Sequence, residues 1–199
     1  ATFTLTPTGG SPVSMDNLTV TNGTLNFNVT GPTSGIHQIR GNIAVAAGGI
    51  LNFSPATSGT VTLNGSGIQT ISGPGPITGS TNSIIEIANP NGVNQNILVT
   101  LNGQLKLTSG LLTLGTSNLF LGTAASITGT PSVSAMIVAT GTGQVQKSFT
   151  AGFTGSFIYP VGDNSVTAEY SPVTLNFTGG TFAAGNFAAV NLINSKYPT

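Results

Sequence analysis

The 199-residue chain has no cysteine and no tryptophan, and charged residues make up only 4% of it. An average soluble domain has about 25% charged residues. The absence of cysteine excludes disulfides, zinc ribbons and thiol catalysis. Four lysines and arginines are too few to build a basic groove for nucleic acid or a polybasic patch for a membrane surface. We therefore expect no nucleic-acid partner.

Long hydrophobic runs are also missing, since no apolar stretch approaches the roughly 18 residues needed to span a bilayer. We therefore expect no membrane insertion. The chain is nevertheless 38% hydrophobic, which is too apolar for a disordered segment. Serine, threonine and asparagine fill most polar positions, and there are 28 glycines. This composition indicates a neutral, β-rich protein with a surface of amides and hydroxyls.

A formal net charge of zero gives little repulsion between copies of the chain. Proteins held in fixed arrays or fibres outside the cell tolerate this better than proteins in the crowded cell interior. The chain begins at Ala1 and shows no basic region followed by an apolar signal segment. We interpret it as a piece of a longer exported polypeptide and expect an extracellular location at the cell surface.

Short runs with two apolar residues on one face and one polar or small residue between them recur along the chain, which predicts strands. Asn-Gly pairs between many of them predict turns. The runs are Leu18-Thr19-Val20, Leu25-Asn26-Phe27, Ile43-Ala44-Val45, Leu51-Asn52-Phe53, Val61-Thr62-Leu63, Ile85-Glu86-Ile87, Val99-Thr100-Leu101, Leu105-Lys106-Leu107, Leu112-Thr113-Leu114 and Leu119-Phe120-Leu121.

Residues 99–121 contain the clearest spacing, because four of these strands begin there at 99, 105, 112 and 119. Strands this short make too few ladder bonds for stable hairpins. They fit a chain that turns a corner after each strand and stacks every third strand on the turn below, with about 20 residues per turn. This spacing favours a parallel β-helix, or β-solenoid. A β-sandwich throughout, joined by the same Asn-Gly turns, is the alternative.

The pattern changes near residue 132, where longer apolar and aromatic runs begin. Strands of this kind, 8–12 residues apart, are typical of an antiparallel sandwich or of a sheet that caps a solenoid. We therefore predict an all-β chain in two parts. Residues 1–131 form the β-solenoid, and residues 132–199 form a smaller antiparallel β-sandwich or cap that continues into further chain.

The few ionisable residues give no pattern for catalysis. A glycosidase needs two facing carboxylates about 5 to 9.5 Å apart. Only Asp163 and Glu169 are acids close in sequence, and we interpret their segment as an exposed loop. We interpret His37 and Arg40 as outward-facing residues of one strand. No acidic calcium loop and no phosphate-binding loop is present, so we predict no catalytic residue, no cofactor-binding residue, no metal ligand and no enzyme activity.

Several segments, taken in order, resemble the repetitive regions of very large surface proteins of Bacteroidota, including gliding-motility-type adhesins exported by the type IX secretion route. The resemblance covers about residues 16–192 and implies a secreted, non-enzymatic cell-surface protein with no family catalytic residues to transfer. The segments are GLLTLGT (110–116), LFLG (119–122), ASITG (125–129), MIVATGTGQVQKSF (136–149), FIYPVGD (157–163) and YSPVTL (170–175).

The resulting hypothesis is a structural or adhesive extracellular module of a fibre, with sister modules or neighbouring subunits bound through β-edges and surface glycans as further partners. A carbohydrate-binding module is one alternative, with Tyr159, Tyr170 and Tyr197 as the only tyrosines for stacking on sugars. An ice-binding β-helix is another, but the Thr-x-Thr rank that it needs, as at 19–21 and 60–62, does not recur regularly from strand to strand.

Overall fold

The computed structural model describes residues 1–6, 11–28 and 36–193, and within them it contains strands and turns but no helix, hence no helix that could cross a membrane. The strands are β1 (Thr2–Leu5), β2 (Ser14–Met15), β3 (Leu18–Phe27), β4 (His37–Ile39), β5 (Ile43–Phe53), β6 (Gly59–Leu63), β7 (Gln69–Ser72), β8 (Ile77–Gly79), β9 (Ser83–Ala88), β10 (Val93–Gln95), β11 (Val99–Leu101), β12 (Gln104–Ser109), β13 (Leu112–Thr113), β14 (Leu119–Leu121), β15 (Ser126–Gly129), β16 (Ile137–Val138), β17 (Val145–Ser148), β18 (Gly155–Tyr159), β19 (Val161–Asp163), β20 (Glu169–Tyr170), β21 (Val173–Phe177) and β22 (Phe187–Val190).

Every third strand stacks on the turn below, so the predicted β-solenoid is confirmed. Val99 pairs with Leu119 in a parallel ladder, although two further strands lie between them in sequence. The separation of paired residues in neighbouring turns ranges from 19, between Val93 and Leu112, to 28, between Ile43 and Ile71. The corners differ in length while the strands stay in register.

Three parallel faces surround the core, and the chain visits them in a fixed order. Face C contains β2, β4, β6, β9, β12 and β15, one strand for each of six turns. Face A contains the first halves of β3 and β5, then β7, β10, β13, β16 and β19. Face B contains β1, the second halves of β3 and β5, then β8, β11, β14 and β17. The long strands β3 and β5 bend around the corner between faces A and B.

Inward side chains from the three faces form continuous apolar columns along the axis. On face B, the buried side chains of Phe27, Phe53, Leu101 and Leu121 are in register, with Gly79 between Phe53 and Leu101. Their outward neighbours alternate with them, as the period of two requires. The alternating pattern of the sequence therefore identified the inward residues of these strands correctly.

Buried amides complete the corner between faces C and A. Gln69 Nε2 donates to the backbone oxygens of Ile39 (2.9 Å) and Gly41 (2.6 Å) in the turn below. Asn89 Nδ2 donates to Gln69 Oε1 at 3.0 Å and to the Gly67 oxygen at 2.8 Å. Corner carbonyls that leave the strand ladder thus keep hydrogen-bond partners inside the protein.

Antiparallel strands cover the last turn, as predicted for the C-terminal part. Strand β22 pairs antiparallel with β17, and β20 pairs antiparallel with β19. Strands β18 and β21 form a separate antiparallel pair. Parallel pairing continues through β16, β17 and β19, so both kinds of pairing occur after residue 132. The division of the chain at residue 131 stays a prediction.

Candidate functional site

One group of ionisable side chains that the fold brings together lies on the outside of face C. Glu86 Oε1 accepts from Thr108 Oγ1 (2.6 Å) and lies 3.0 Å from Lys106 Nζ. Its Oε2 accepts from Thr62 Oγ1 at 2.9 Å. Thr108 reaches Glu86 because the register shifts between Leu107 and Ser109, which leaves Thr108 out of the ladder.

Burial raises the pKa of the Glu86 carboxyl, but hydrogen bonds from Thr108, Lys106 and Thr62 and the charge of Lys106 outweigh burial, so its pKa lies below the ordinary value. Both carboxylate oxygens already have donors on the protein. This arrangement stabilises the stack of turns and leaves little capacity for binding a substrate.

The two acids that are close in sequence lie directly opposite each other, Asp163 in β19 and Glu169 in β20. The exposed loop predicted for this segment is therefore confined to residues 164–168, because antiparallel pairing extends to both acids. Asp163 Oδ1 accepts from the backbone N–H (3.0 Å) and hydroxyl (2.6 Å) of Ser165. This carboxylate caps a turn.

His37 contradicts its sequence prediction, because it points into the solenoid and is fully buried. It pairs with Val61 and has the same alternation phase as the buried Ile39. The backbone N–H of Val13 donates to His37 Nδ1 at 3.0 Å. The prediction was wrong because we assigned the polar imidazole to the outer face of the strand. Arg40 is exposed, and its Nη2 donates to Ser14 Oγ at 2.7 Å.

Lys147 occupies a core position that sequence reasoning missed. It pairs with Leu121 in the inward column of face B and is 4% exposed. Its Nζ donates to the backbone oxygens of Gly122 (2.7 Å), Thr123 (3.0 Å) and Ser148 (2.8 Å). Burial lowers the pKa of Lys147 to about 8. The alternation could have revealed this position, because Val145-Gln146-Lys147 matches Leu119-Phe120-Leu121 and places Lys147 where Leu121 points inward.

Aromatic rings from the C-terminal part pack over this ammonium. Lys147 Nζ lies 5.3 Å from the ring centroid of Phe149 and 5.5 Å from that of Phe157, within range of a cation–π interaction. Phe149 also contacts Phe177 (4.7 Å) and Phe182 (5.7 Å). These rings close the end of the apolar core at face B.

Of the three tyrosines that a carbohydrate-binding module would use, the structure describes Tyr159 and Tyr170. Tyr159 is fully buried, its hydroxyl donates to the Ala188 oxygen at 3.1 Å, and burial raises its pKa to about 12. Tyr170 is half-buried in β20, and Tyr197 lies outside the described residues. Tyr159 cannot stack on a ligand because its ring fills the core.

A cleft of about 500 Å³ opens between the outer side of face B and the segment before β22. Its lining contains aromatic, amide and hydroxyl side chains, among them Phe120, Phe182, Asn102, Asn186 and Thr123. Phe120 lies in a predicted strand and Asn102 in a predicted Asn-Gly turn, but none of these residues indicated a binding site in the sequence. Except for Phe120, they lie in corners and loops, and they come together only when the chain returns to face B.

No three His, Cys, Asp or Glu side chains come close enough to hold a metal ion in the ranges 1–6, 11–28 and 36–193. Comparisons of the chain with protein-family models, curated proteins and solved structures give no match.

Proposed function

We propose that this chain is a non-enzymatic structural and adhesive module of a large extracellular protein or fibre at the cell surface. The observation that supports this most is the uninterrupted stacking of six turns in three parallel faces. With strands about 4.8 Å apart, six turns extend about 30 Å along the axis. Such a rod holds binding elements away from a surface and joins further turns without a new core.

The outer side of face B supports an adhesive role through neutral polar contacts. Asn52 Nδ2 donates to Asn26 Oδ1 at 3.0 Å, and Thr78 Oγ1 donates to Asn52 Oδ1 at 2.6 Å. This ladder presents amides and hydroxyls in register along the axis. Contacts made by such groups depend little on salt.

Sister modules or neighbouring subunits are the proposed partners, bound through strand edges. Within the described ranges, β1 and β2 each have a strand neighbour on one side only. β15 on face C likewise pairs only with β12. An unpaired edge binds a strand from a neighbouring module through backbone hydrogen bonds.

Two alternatives receive less support. Catalysis by Glu86 has little support, because both of its carboxylate oxygens are bonded to the protein. An ice-binding face needs the same Thr-x-Thr rank in successive turns. On face C, the outward pair Thr60 and Thr62 is followed by Ile84 and Glu86 in the next turn. The resemblance to repetitive Bacteroidota surface proteins agrees with the adhesive proposal.

The proposal is tested by immunogold electron microscopy with an antibody against the 199-residue chain, applied to intact and broken cells of the producing organism. We expect gold on the outer surface of intact cells, along fibres, and reduced attachment of cells lacking the gene. Label confined to the interior of broken cells, or turnover of a polysaccharide that Asp163→Ala or Glu169→Ala abolishes, would overturn it.

The proposed edge contacts are tested separately, by light scattering of native material over a salt series. Because they rest on backbone and amide groups, we expect assemblies to persist in about 0.5 M salt. Dissociation into monomers at that salt concentration would show that ion pairs hold the modules together.

A further inference from the structure

One outward column of face B changes chemistry at a single position. Asn52, Thr78, Thr100 and Phe120 are in register on successive turns. The first three offer amide or hydroxyl groups, whereas Phe120 places an aromatic ring on the surface. Phe187 lies edge-on to it at 6.4 Å and is 49% exposed. A half-buried ring beside polar groups is a common feature of ligand sites.

The cleft beside Phe120 contains polar groups without partners in the protein. The side-chain amides of Asn102 and Asn186 and the hydroxyls of Thr123 and Thr150 line it. Within the described part of the chain, none of these four side chains makes a hydrogen bond. Asn102 packs on Gly122, where a Cβ would overlap its Oδ1. Gly122 therefore leaves room for the amide at the cleft wall.

The cleft is neutral, because none of its lining side chains is ionisable. The nearest cation, Lys147, lies behind the wall and donates to the backbone oxygens of Gly122 and Thr123. A charged ligand would lose its hydration without gaining an opposite charge. The lining is suited to an uncharged ligand with both apolar and hydroxyl groups.

We propose that this cleft binds a neutral oligosaccharide. A pyranose ring has an apolar C–H face that packs on an aromatic ring, and its hydroxyls both donate and accept hydrogen bonds. Phe120 supplies the ring, and Asn102 and Asn186 each supply one acceptor and two donors. This inference deepens the proposed adhesive function and rests on it for its biological role.

The oligosaccharide extends along the solenoid axis. A second groove, of about 380 Å³, lies on the preceding turns of face B and includes Thr78, Thr100 and Leu98. Thr100 pairs with Phe120 across one strand spacing, about 4.8 Å. A linear chain that leaves the cleft past Thr100 would reach these hydroxyls, so we expect affinity to increase with chain length.

The test is isothermal titration calorimetry of the full 199-residue chain with neutral oligomers of glucose, mannose and N-acetylglucosamine, from two to six sugars long. We expect at least one series to bind, more tightly as it lengthens, and equally at low and high salt. Phe120→Ala should weaken binding at least tenfold, and Asn102→Ala and Asn186→Ala at least threefold each. Phe3→Ala, at an exposed ring on β1, is the matched control and should not change affinity.

Asn186 is exposed in a loop, so its variant keeps the test decisive if Phe120→Ala misfolds. Absence of binding to all three series, or equal affinity in wild type and Asn186→Ala, overturns the cleft proposal. Preferential binding of an acidic oligosaccharide or an apolar peptide also overturns it. If cells carrying Asn186→Ala still attach normally, the cleft proposal is refuted while the adhesive function stands. If the protein binds oligosaccharides but is found only inside cells, the adhesive function is refuted while the cleft proposal stands.

Discussion

Lys147 lies beside Leu121 in the parallel ladder of face B, and both side chains point into the core. The two preceding inward positions of the same column are Leu101 and Gly79. An ammonium thus occupies the last inward position in the parallel part of this column, and its ladder neighbour on the other side is Ala188 of β22. Its three backbone acceptors lie at the end of β17 and in the corner after β14. Lys147 therefore joins the last solenoid turns beneath the aromatic cap.

Lys147 should make stability increase with pH. Its pKa is about 8 in the folded protein and 10.5 in the unfolded chain. Between these values the unfolded chain binds more protons, so the free energy of unfolding rises by about 2 kcal/mol from pH 7.5 to 9.5. Urea titrations of wild type and Lys147→Met measure this, and the variant should lack the rise. The pH range of the experiment stops at 9.5 because the pKa of Tyr159 is raised in the folded protein. Above about pH 10 this tyrosine ionises more readily in the unfolded chain, which lowers the free energy of unfolding. Equal slopes for the two proteins would contradict the burial of this ammonium.

The inward columns should contribute far more stability than their outward neighbours. Leu101→Ala, Leu107→Ala and Leu114→Ala each remove a buried side chain and should lower the free energy of unfolding by about 2 to 5 kcal/mol. Thr100→Ala and Thr113→Ala, on half-buried outward positions, should change it by less than about 1 kcal/mol. Denaturant titrations compare the two sets. Equal losses of unfolding free energy in the two sets would mean that the inward and outward side chains of these strands are assigned wrongly.

Glu86 should stabilise the protein near neutral pH and lose this contribution in acid. Its pKa is lower in the folded protein than in the unfolded chain, so the contribution is complete above the unfolded pKa of about 4.5 and is lost as pH falls through the folded pKa. Glu86→Ala also leaves the buried Thr62 hydroxyl without its acceptor, which costs about 1 to 3 kcal/mol. Thermal melts from pH 7 to 3 compare wild type with Glu86→Gln, whose profile should be flatter. Glu169→Gln, at an exposed carboxylate, is the control. A melting temperature that depends on pH in Glu86→Gln as steeply as in wild type would contradict the hydrogen bonds assigned to Glu86.

Gly110 should be intolerant of any side chain, because its φ is +84° and a Cβ would overlap the backbone oxygen of Asn89. Gly110→Ala should lower the free energy of unfolding by at least about 1 to 3 kcal/mol. Gly67→Ala is the matched control, since a Cβ there would meet no atom within 4 Å, and it should stay within about 0.5 kcal/mol. Urea titrations measure both variants. Equal losses of unfolding free energy in the two would contradict the close approach of the corners at Gly110 and Asn89.

The sequence favoured the solenoid because two independent periodicities agree in it, the alternation within each strand and the six- or seven-residue spacing between strands. Alternation within each short strand indicates which apolar side chains are inward, and strands of three residues make too few ladder bonds for stable hairpins. Residues 99–121 show both periods, and their strands stack as predicted. Antiparallel strands in the C-terminal part were also predictable, because longer apolar and aromatic runs begin near residue 132, although parallel pairing continues there through β16, β17 and β19.

Only the tertiary structure decided which polar residues are inside and which form the cleft. His37 and Lys147 have the alternation phase of core residues, but a polar side chain in that phase does not reveal from the sequence whether backbone groups will bond it. Asn102, Phe120 and Asn186 are distant in sequence and adjacent in space. They meet because corners of different length keep the strands in register, and because β22 returns antiparallel to face B. Local patterns encode the facing of a strand, whereas a site made of corner residues depends on how the turns stack.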